Sequence, residues 1–212
     1  DDGDAGDTYN WSPPDEDVFV GGPSSVSVAP LEDGPVRGQV AVDAVYRLPH
    51  HVEDRARVGA VDVGVRTVVE LRAGEDFVRV TTTVDNQARD HRMRVGFPLP
   101  TPTDHSEAEC AFTVVRRGLD AEGGPTERPM STFPSRRFVR AGGVTVAHEG
   151  LLEYELCDIA DGQAHLLALT LLRCTGMLSQ GPMTTRPLPA GPENPLEGPQ
   201  QQGRQQFRYA VR

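Results

Sequence analysis

The chain has 212 residues and a formal net charge of −10, with a sequence pI near 5.0. This length is enough for one large all-β domain or two small sandwiches with a core. The acidic balance disfavours a nucleic-acid partner, because phosphate binding requires a basic face. No apolar run in the sequence approaches the ~20 residues that span a bilayer, so we expect no membrane partner either.

The three cysteines, Cys110, Cys157 and Cys174, are odd in number and widely spaced. This spacing disfavours a disulfide framework or a thiolate zinc site. A free cysteine within an apolar strand usually acts as a small buried hydrophobe. We therefore expect reduced thiols and a cytoplasmic location.

The first strands show apolar residues at every second position. Residues 1–17 are acidic and rich in turn formers, and we take residues 1–25 as an N-terminal junction segment. Short alternating strands follow through residues 26–48. The clearest strand has its apolar side chains and one threonine on odd positions: Val61, Val63, Val65, Thr67, Val69 and Leu71. This period of two is typical of an antiparallel sheet with one buried face.

The next two strands flank a polar turn. Val78, Val80, Thr82 and Val84 share one face, and residues 86–92 supply the bend. Met93, Val95 and Phe97 then alternate again. The pattern predicts a β-hairpin.

The second half of the chain continues the all-β pattern. Residues 118–134 form a Gly- and Pro-rich surface loop, and residues 166–172 are apolar on both faces, which predicts a central, doubly covered strand. Residues 181–203 lack apolar periodicity and are expected as a functional loop or as disorder. We predict a β-sandwich over residues 26–180, the loop at 181–203 and a final strand at 204–212.

Three stretches, in this order, carry a resemblance to one family. They are Gly6-Asp7-Thr8-Tyr9-Asn10-Trp11-Ser12-Pro13, then Asn86-x-Ala88-x-Asp90-His91-Arg92-x-Arg94-Val95-x-Phe97-Pro98, and finally Ala168-Leu169-Thr170-Leu171-Leu172-Arg173 with Gly176-Met177-Leu178-Ser179, Arg186, Ala190-Gly191-Pro192 and Gln201. Together they resemble the β-sandwich region that follows the catalytic and helical domains of glycoside hydrolase family 38, the retaining α-mannosidases, especially the bacterial ones. The resemblance spans essentially the whole chain.

The resemblance implies a large antiparallel β-sandwich of the galactose-mutarotase-like, Greek-key supersandwich type. It also implies zinc held by two His and two Asp in an N-terminal catalytic domain, with an early His-x-Asp motif. No His-x-Asp occurs in this sequence. We therefore expect a C-terminal portion of a larger enzyme, with no cofactor in this fragment, zinc in the missing catalytic domain, and that domain of the same polypeptide as its partner.

The resemblance also gives three candidate substrate-binding residues. Tyr9 matches an aromatic position that approaches the substrate in the family, and a Tyr hydroxyl on an apolar ring suits sugar recognition. Arg92 and Arg94 are candidates for projecting toward the sugar site. The structural alternatives are that Tyr9 and Trp11 pin the N-terminal strand, and that the residues around Arg92 lock a turn.

No catalytic or metal-binding residues are predicted in the chain itself. The stretch His50-His51-Val52-Glu53-Asp54 has ligand types but no spacing that completes a metal shell, which favours a solvated loop. A retaining glycosidase needs two carboxyl groups roughly 5–5.5 Å apart with one raised pKa. Glu153 and Glu155 instead alternate along a strand and are expected to point together into solvent.

These observations favour an accessory β-sandwich domain of an α-mannosidase-like hydrolase that supports the catalytic domain and lines part of the sugar-binding cleft. The carbohydrate would be a mannoside, and the fragment alone would be inactive. The alternative is a stand-alone carbohydrate-binding or adhesion module. Such a module usually exposes several aromatic rings, and the chain has one Trp and four Tyr.

Overall fold

β-Strands make up nearly all the secondary structure of the residues that the structure, a computed structural model, describes, which are 1–121 and 123–212. The strands are Asp2–Gly3 (β1), Ser25–Asp33 (β2), Arg37–Leu48 (β3), His51–Glu53 (β4), Ala56–Val58 (β5), Val61–Arg72 (β6), Val78–Asn86 (β7), His91–Thr103 (β8), His105–Cys110 (β9), Thr113–Gly118 (β10), Thr132–Pro134 (β11), Phe138–Ala141 (β12), Val144–His148 (β13), Glu153–Ala160 (β14), Gln163–Arg173 (β15) and Gly203–Val211 (β16). A 3₁₀ helix covers Gly198–Gln200. In these described ranges no helix is long and apolar enough to cross a membrane.

The strands form two large antiparallel sheets. One sheet has nine strands in the order β10-β9-β12-β13-β16-β7-β6-β3-β2, and the other has five in the order β1-β8-β15-β14-β11. β4 and β5 form a separate two-stranded ribbon. This architecture confirms the predicted all-β sandwich.

The core lies between the two large sheets, because alternate residues of each strand point to the same side. Val84 of the nine-stranded sheet and Leu169 of the five-stranded sheet are fully buried in one cluster. The rings of Phe97 and Tyr209 meet edge to face across the core, with centroids 5.9 Å apart. β15 lies between β8 and β14, and its residues 167–169 are buried, as predicted for a central strand.

The predicted hairpin between residues 78 and 97 is wrong, although both of its strands exist. β7 pairs with β6 and β16 in the nine-stranded sheet, whereas β8 pairs with β15 and β1 in the five-stranded sheet. Residues 87–90 therefore cross from one sheet to the other. Alternation predicts which residues share a face, but it does not identify the partner strand. Val84 and Met93 enter the same core from opposite sheets.

The segment 181–203 is a packed loop held by hydrogen bonds. The Leu196 N–H donates to Gly176 O at 2.7 Å. Gln200 is buried, and its side-chain oxygen accepts the Asp90 N–H at 3.0 Å. Polar contacts thus anchor a segment in which the sequence shows no apolar periodicity.

Candidate functional site

Tyr9 lies in a tight loop, residues 4–12, which we call the Tyr9 loop. The Asp7 N–H donates to Asn10 O at 3.0 Å, so the loop turns back on itself. Gly6 is required in this turn, because a Cβ at that position would lie 2.1 Å from Asn10 O. The sequence Gly6-Asp7 therefore sets the path of the backbone that presents Tyr9.

The carboxylate of Asp7 is fully buried and joins the Tyr9 loop to a distant part of the chain. Its Oδ1 accepts the N–H groups of Tyr9 at 2.9 Å and Asn10 at 3.0 Å. Its Oδ2 accepts the Gln180 N–H at 2.9 Å and also binds the guanidinium of Arg186. One side chain thus fixes the backbone on either side of the Tyr9 Cα.

Asp4 holds the base of the same loop. Its Oδ1 accepts the N–H groups of Gly6 at 2.9 Å and Ser12 at 3.3 Å. Its Oδ2 lies 3.0 Å from Arg173 Nε at the end of β15. Both aspartates therefore cap loop amides and face an arginine from the last quarter of the chain.

The two aspartates have opposite pKa shifts. Burial raises the pKa of Asp4 to about 7, although the charge of Arg173 opposes this. Burial also acts to raise the pKa of Asp7, but the N–H groups of Asn10, Gln180 and Tyr9 and the charge of Arg186 together hold it below its ordinary value. Asp7 is therefore ionised at neutral pH, whereas Asp4 changes its protonation state near neutral pH.

The ring of Tyr9 is 55% exposed and borders an open groove with a volume of about 670 Å³. Glu153, Thr170 and Arg173 line the same groove, so it combines an aromatic ring with charged and hydroxyl groups. In the part of the chain that the structure describes, the Tyr9 hydroxyl donates no hydrogen bond. An exposed tyrosine hydroxyl beside other polar groups can form hydrogen bonds with the hydroxyl groups of a sugar.

Arg92, the second candidate, is 2% exposed and lies beneath the ring of Trp11. Its Nη2 donates to Asp2 Oδ2 at 2.7 Å and its Nε to Asp2 Oδ1 at 3.2 Å. The guanidinium carbon is 4.1 Å from the Trp11 ring centroid. These contacts use Arg92 to attach the N-terminal segment to β8.

Arg94, the third candidate, is next to Arg92 on the outer face of the five-stranded sheet. Its Nη1 donates to Glu155 Oε2 at 2.6 Å and its Nη2 to Asp2 Oδ2 at 3.2 Å. Its side chain is 18% exposed. The two arginines therefore bind the same carboxylate, that of Asp2, whereas the backbone of Tyr9 is held by Asp7.

The expectation that Glu153 and Glu155 point together into solvent is wrong, because their side chains share a face but are only 27% and 19% exposed. Glu155 pairs with Arg94, and Glu153 Oε1 accepts the Thr170 hydroxyl at 2.8 Å. The reason is that the five-stranded sheet has a polar outer face covered by the N-terminal segment, so its carboxylates meet arginines.

No metal site is formed in the ranges 1–121 and 123–212, where no group of three or more His, Cys, Asp or Glu is arranged to hold an ion. The expected solvated loop at residues 50–54 is wrong for residues 51–53, which form β4. His50 precedes this strand and contacts His51, with Nδ1 atoms 3.0 Å apart. The residues present do not fit the zinc site that the resemblance implies for a catalytic domain. We assign no chemical step through zinc to this chain.

Sequence reasoning missed Asp4, Arg173 and Arg186 as parts of the site. A signal for the aspartates was available, because Asp side chains in turns commonly bind backbone N–H groups two residues ahead. Arg173 and Arg186 belong to the third stretch of the family resemblance, but no local signal predicts their contacts with the Tyr9 loop, since they lie about 170 residues away from it in the chain.

The fold and the site define an antiparallel β-sandwich with a carboxylate-held loop on its smaller sheet. The chain belongs to glycoside hydrolase family 38, because residues 1–177 match the family model described as the glycosyl hydrolases family 38 C-terminal domain. This confirms the family that the sequence motifs predicted.

Similar proteins agree with this assignment. Two crystal structures from Enterococcus faecalis, one of an α-mannosidase and one of a glycosyl hydrolase family 38 protein, match with TM-scores of 0.79 and 0.78, each at 26% identity. The chain is also similar to a provisionally named mannosylglycerate hydrolase from Halalkalibacterium halodurans, with 31% identity over 121 residues.

The matches cover much more of this chain than of its relatives. The matches to the two Enterococcus structures cover 99% of this chain but only 24% and 25% of the Enterococcus chains. The match to the Halalkalibacterium protein covers 55% of this chain and 13% of the relative. The chain therefore spans about a quarter, or less, of the proteins it resembles.

Proposed function

We propose that this chain is the accessory C-terminal β-sandwich of an α-mannosidase-like hydrolase, that it supports the catalytic domain, and that it lines part of the sugar-binding cleft. The observation that carries the proposal is the presentation of Tyr9. A hydrogen-bonded loop holds Tyr9 55% exposed at the edge of a polar groove, and its hydroxyl has no partner among the described residues. A phenol fixed in this way is available to a sugar hydroxyl.

The proposal extends to the intact enzyme that contains this domain. Its substrate would be a mannoside, and its zinc and nucleophile would lie in the catalytic domain of the same polypeptide. The free cysteines fit a cytoplasmic enzyme. Catalysis in this arrangement comes from the partner domain, and this chain contributes binding and orientation.

The alternative, a stand-alone carbohydrate-binding module, requires several exposed rings on one platform. The exposed aromatic side chains of the described residues are Tyr9, Phe19 and Phe112. No two of these rings pack against each other in the described ranges. Of these three rings only Tyr9 borders the groove, whose other aromatic residues, Phe133 and Phe207, are less exposed, so the structure favours a single contact to a sugar held by another domain.

Tyr9→Phe in the intact enzyme tests the proposal. The substitution keeps the ring volume and removes a hydroxyl that makes no hydrogen bond with the described residues, so the melting temperature should not change. One lost substrate hydrogen bond costs about 0.5–1.5 kcal/mol, so kcat/KM should fall roughly threefold or more. Trp11→Phe is the matched control, since Trp11 covers Arg92 and should affect stability instead.

Wild-type kinetics of Tyr9→Phe with an unchanged melting temperature would contradict the proposal. Tyr9 would then have a packing role. Arg94 would be the remaining candidate for contact with the sugar, because Arg92 is buried beneath Trp11.

A further inference from the structure

Arg186 binds the residues on both sides of Tyr9. Its Nη2 contacts Asp7 Oδ2 and its Nη1 contacts Asn10 Oδ1. Its Nε donates to Leu188 O at 2.7 Å, which fixes the direction of the guanidinium. The guanidinium carbon also lies 5.9 Å from the centroid of the Tyr9 ring.

From these contacts we propose that Asp7 and Arg186 form a clamp that positions Tyr9 against the substrate, which makes the segment 178–191 a part of the sugar site. The inference rests on the proposed function of Tyr9. It goes beyond the family assignment, because that assignment gives no contact or role to Arg186, which lies outside the residues 1–177 that match the family model.

The clamp is built so that its members depend on each other. Asp7 is fully buried, and the Arg186 side chain is 5% exposed. A buried carboxylate that loses its cation is strongly unfavourable, so the pair holds together or opens as a unit. Because Asp7 Oδ1 also binds the N–H groups of Tyr9 and Asn10, opening the pair releases the backbone at Tyr9.

The segment that carries Arg186 is itself fixed close to the ring. Ser179 Oγ accepts the N–H groups of Ala190 at 2.8 Å and Gly191 at 3.1 Å. A Cβ at Gly191 would lie 3.2 Å from the Tyr9 hydroxyl, so glycine leaves the space that the hydroxyl occupies. The same segment therefore places the Arg186 guanidinium beside the Tyr9 ring, and its Gly191 leaves space for the Tyr9 hydroxyl.

Arginine is specifically suited to this position. Its planar fork reaches three oxygens in different directions, which a single ammonium group cannot reproduce. Arg186→Lys keeps the charge beside Asp7 and loses the simultaneous contacts with Asn10 and Leu188. The variant therefore loosens the clamp without leaving Asp7 as an unpaired buried charge.

The first measurement is amide hydrogen exchange in this chain. Arg186→Lys should accelerate exchange of the Tyr9 and Asn10 amides about tenfold or more, while amides of β15 stay unchanged. Asn10→Ala removes one clamp contact, leaves the buried pair intact and should give a smaller acceleration. Arg137→Lys is the control, because Arg137 belongs to an exposed pair with Glu109.

The second measurement is kinetics in the intact enzyme. If Arg186 acts through Tyr9, Arg186→Lys lowers kcat/KM by roughly the threefold or more that Tyr9→Phe gives. The same substitution then has no further effect in the Tyr9→Phe background, because residues that share one function are not additive. Arg137→Lys should leave the kinetics unchanged in both backgrounds.

Two results would overturn the clamp. One is unchanged exchange at Tyr9 and Asn10 in Arg186→Lys. The other is an equal loss of kcat/KM in both backgrounds, because Arg186 would then act independently of the Tyr9 hydroxyl. Wild-type kinetics of Tyr9→Phe alone would instead remove the proposed function, while the exchange data would still show whether the clamp holds the loop.

Discussion

Arg92 and Arg94 are alike in the sequence, two positions apart on one strand, but their surroundings differ. Arg92 is covered by Trp11 and bound by both oxygens of Asp2. Arg94 reaches the same carboxylate with one nitrogen and remains partly exposed. Arg92 attaches the N-terminal segment because Trp11 covers it, whereas Arg94 stays partly accessible. Spacing along the strand does not distinguish these two roles.

Arg92→Met should therefore destabilise the chain far more than Arg94→Met. Removing Arg92 leaves the nearly buried carboxylate of Asp2 with only a peripheral cation and removes the stacking with Trp11, a loss of about 3–5 kcal/mol in the free energy of unfolding. Arg94→Met should cost about 1 kcal/mol, because its side chain is closer to solvent. Urea unfolding of the two variants measures the difference. Equal losses would mean that the burial of Arg92 and its stacking with Trp11 add nothing beyond what the Arg94 contacts contribute.

The raised pKa of Asp4 predicts a pH dependence of stability. Its folded value of about 7 lies above the ordinary 3.8, so the folded chain binds this proton more tightly than the unfolded chain does. The contribution of Asp4 to folding is therefore complete below about pH 4 and is lost as the pH rises from there to about 7, by ~1.4 kcal/mol per pH unit; it is still partly present at pH 5. Urea unfolding of the wild type and Asp4→Asn between these pH values should show the difference. Parallel curves would mean that Arg173 keeps Asp4 ionised throughout.

At the scale of elements, the strands were predictable and their partners were not. The alternation in residues 61–71 and the apolar run in residues 166–172 follow directly from burial on one face or on both. The hairpin failed because β7 and β8 have matching patterns but belong to opposite sheets. Pairing depends on long-range packing, which a local pattern does not contain.

The turn between β12 and β13 provides a test of one such long-range contact. Gly142 has φ +51, and a Cβ there would lie 2.2 Å from Thr101 O of β8, so the turn closes against the opposite sheet. Gly142→Ala should cost several times the ~1 kcal/mol of left-handed strain alone. Gly162→Ala is the control, because Gly162 has φ +72 and no atom within 4 Å of its Cβ position. Similar melting temperatures would contradict this close approach.

For the molecule as a whole, the site was partly predictable. The motif Gly6-Asp7-Thr8-Tyr9 identified the loop that presents an exposed ring. The clamp was not predictable, because it joins Asp7 to a residue 179 positions away. The family resemblance includes Arg186, but it does not indicate which residues Arg186 contacts. The sequence thus indicates which residues match the motifs of the family, whereas only the folded structure shows which of these residues are in contact.

The chain by itself is expected to bind no stoichiometric zinc and to hydrolyse no aryl α-mannoside. The described residues form no group of ligands that could hold the metal, and we place the nucleophile in another domain. Metal analysis after chelator washing, followed by an assay with added zinc, tests both points. Tight one-to-one zinc with turnover would show that this chain carries its own active site.

The large sequence separation of Asp7 and Arg186 implies that the clamp forms late in folding. Within these 212 residues the Tyr9 loop is synthesised early, and Arg186 follows near the end. Contacts between such distant positions form late, because the chain between them must first be ordered. The Asp7 carboxylate therefore gains its cation only after the segment that carries Arg186 has been synthesised and has reached it. The loop that presents Tyr9 should reach its final shape only in molecules whose C-terminal segment has folded onto it, so an unfinished domain would not present the Tyr9 ring in its final position.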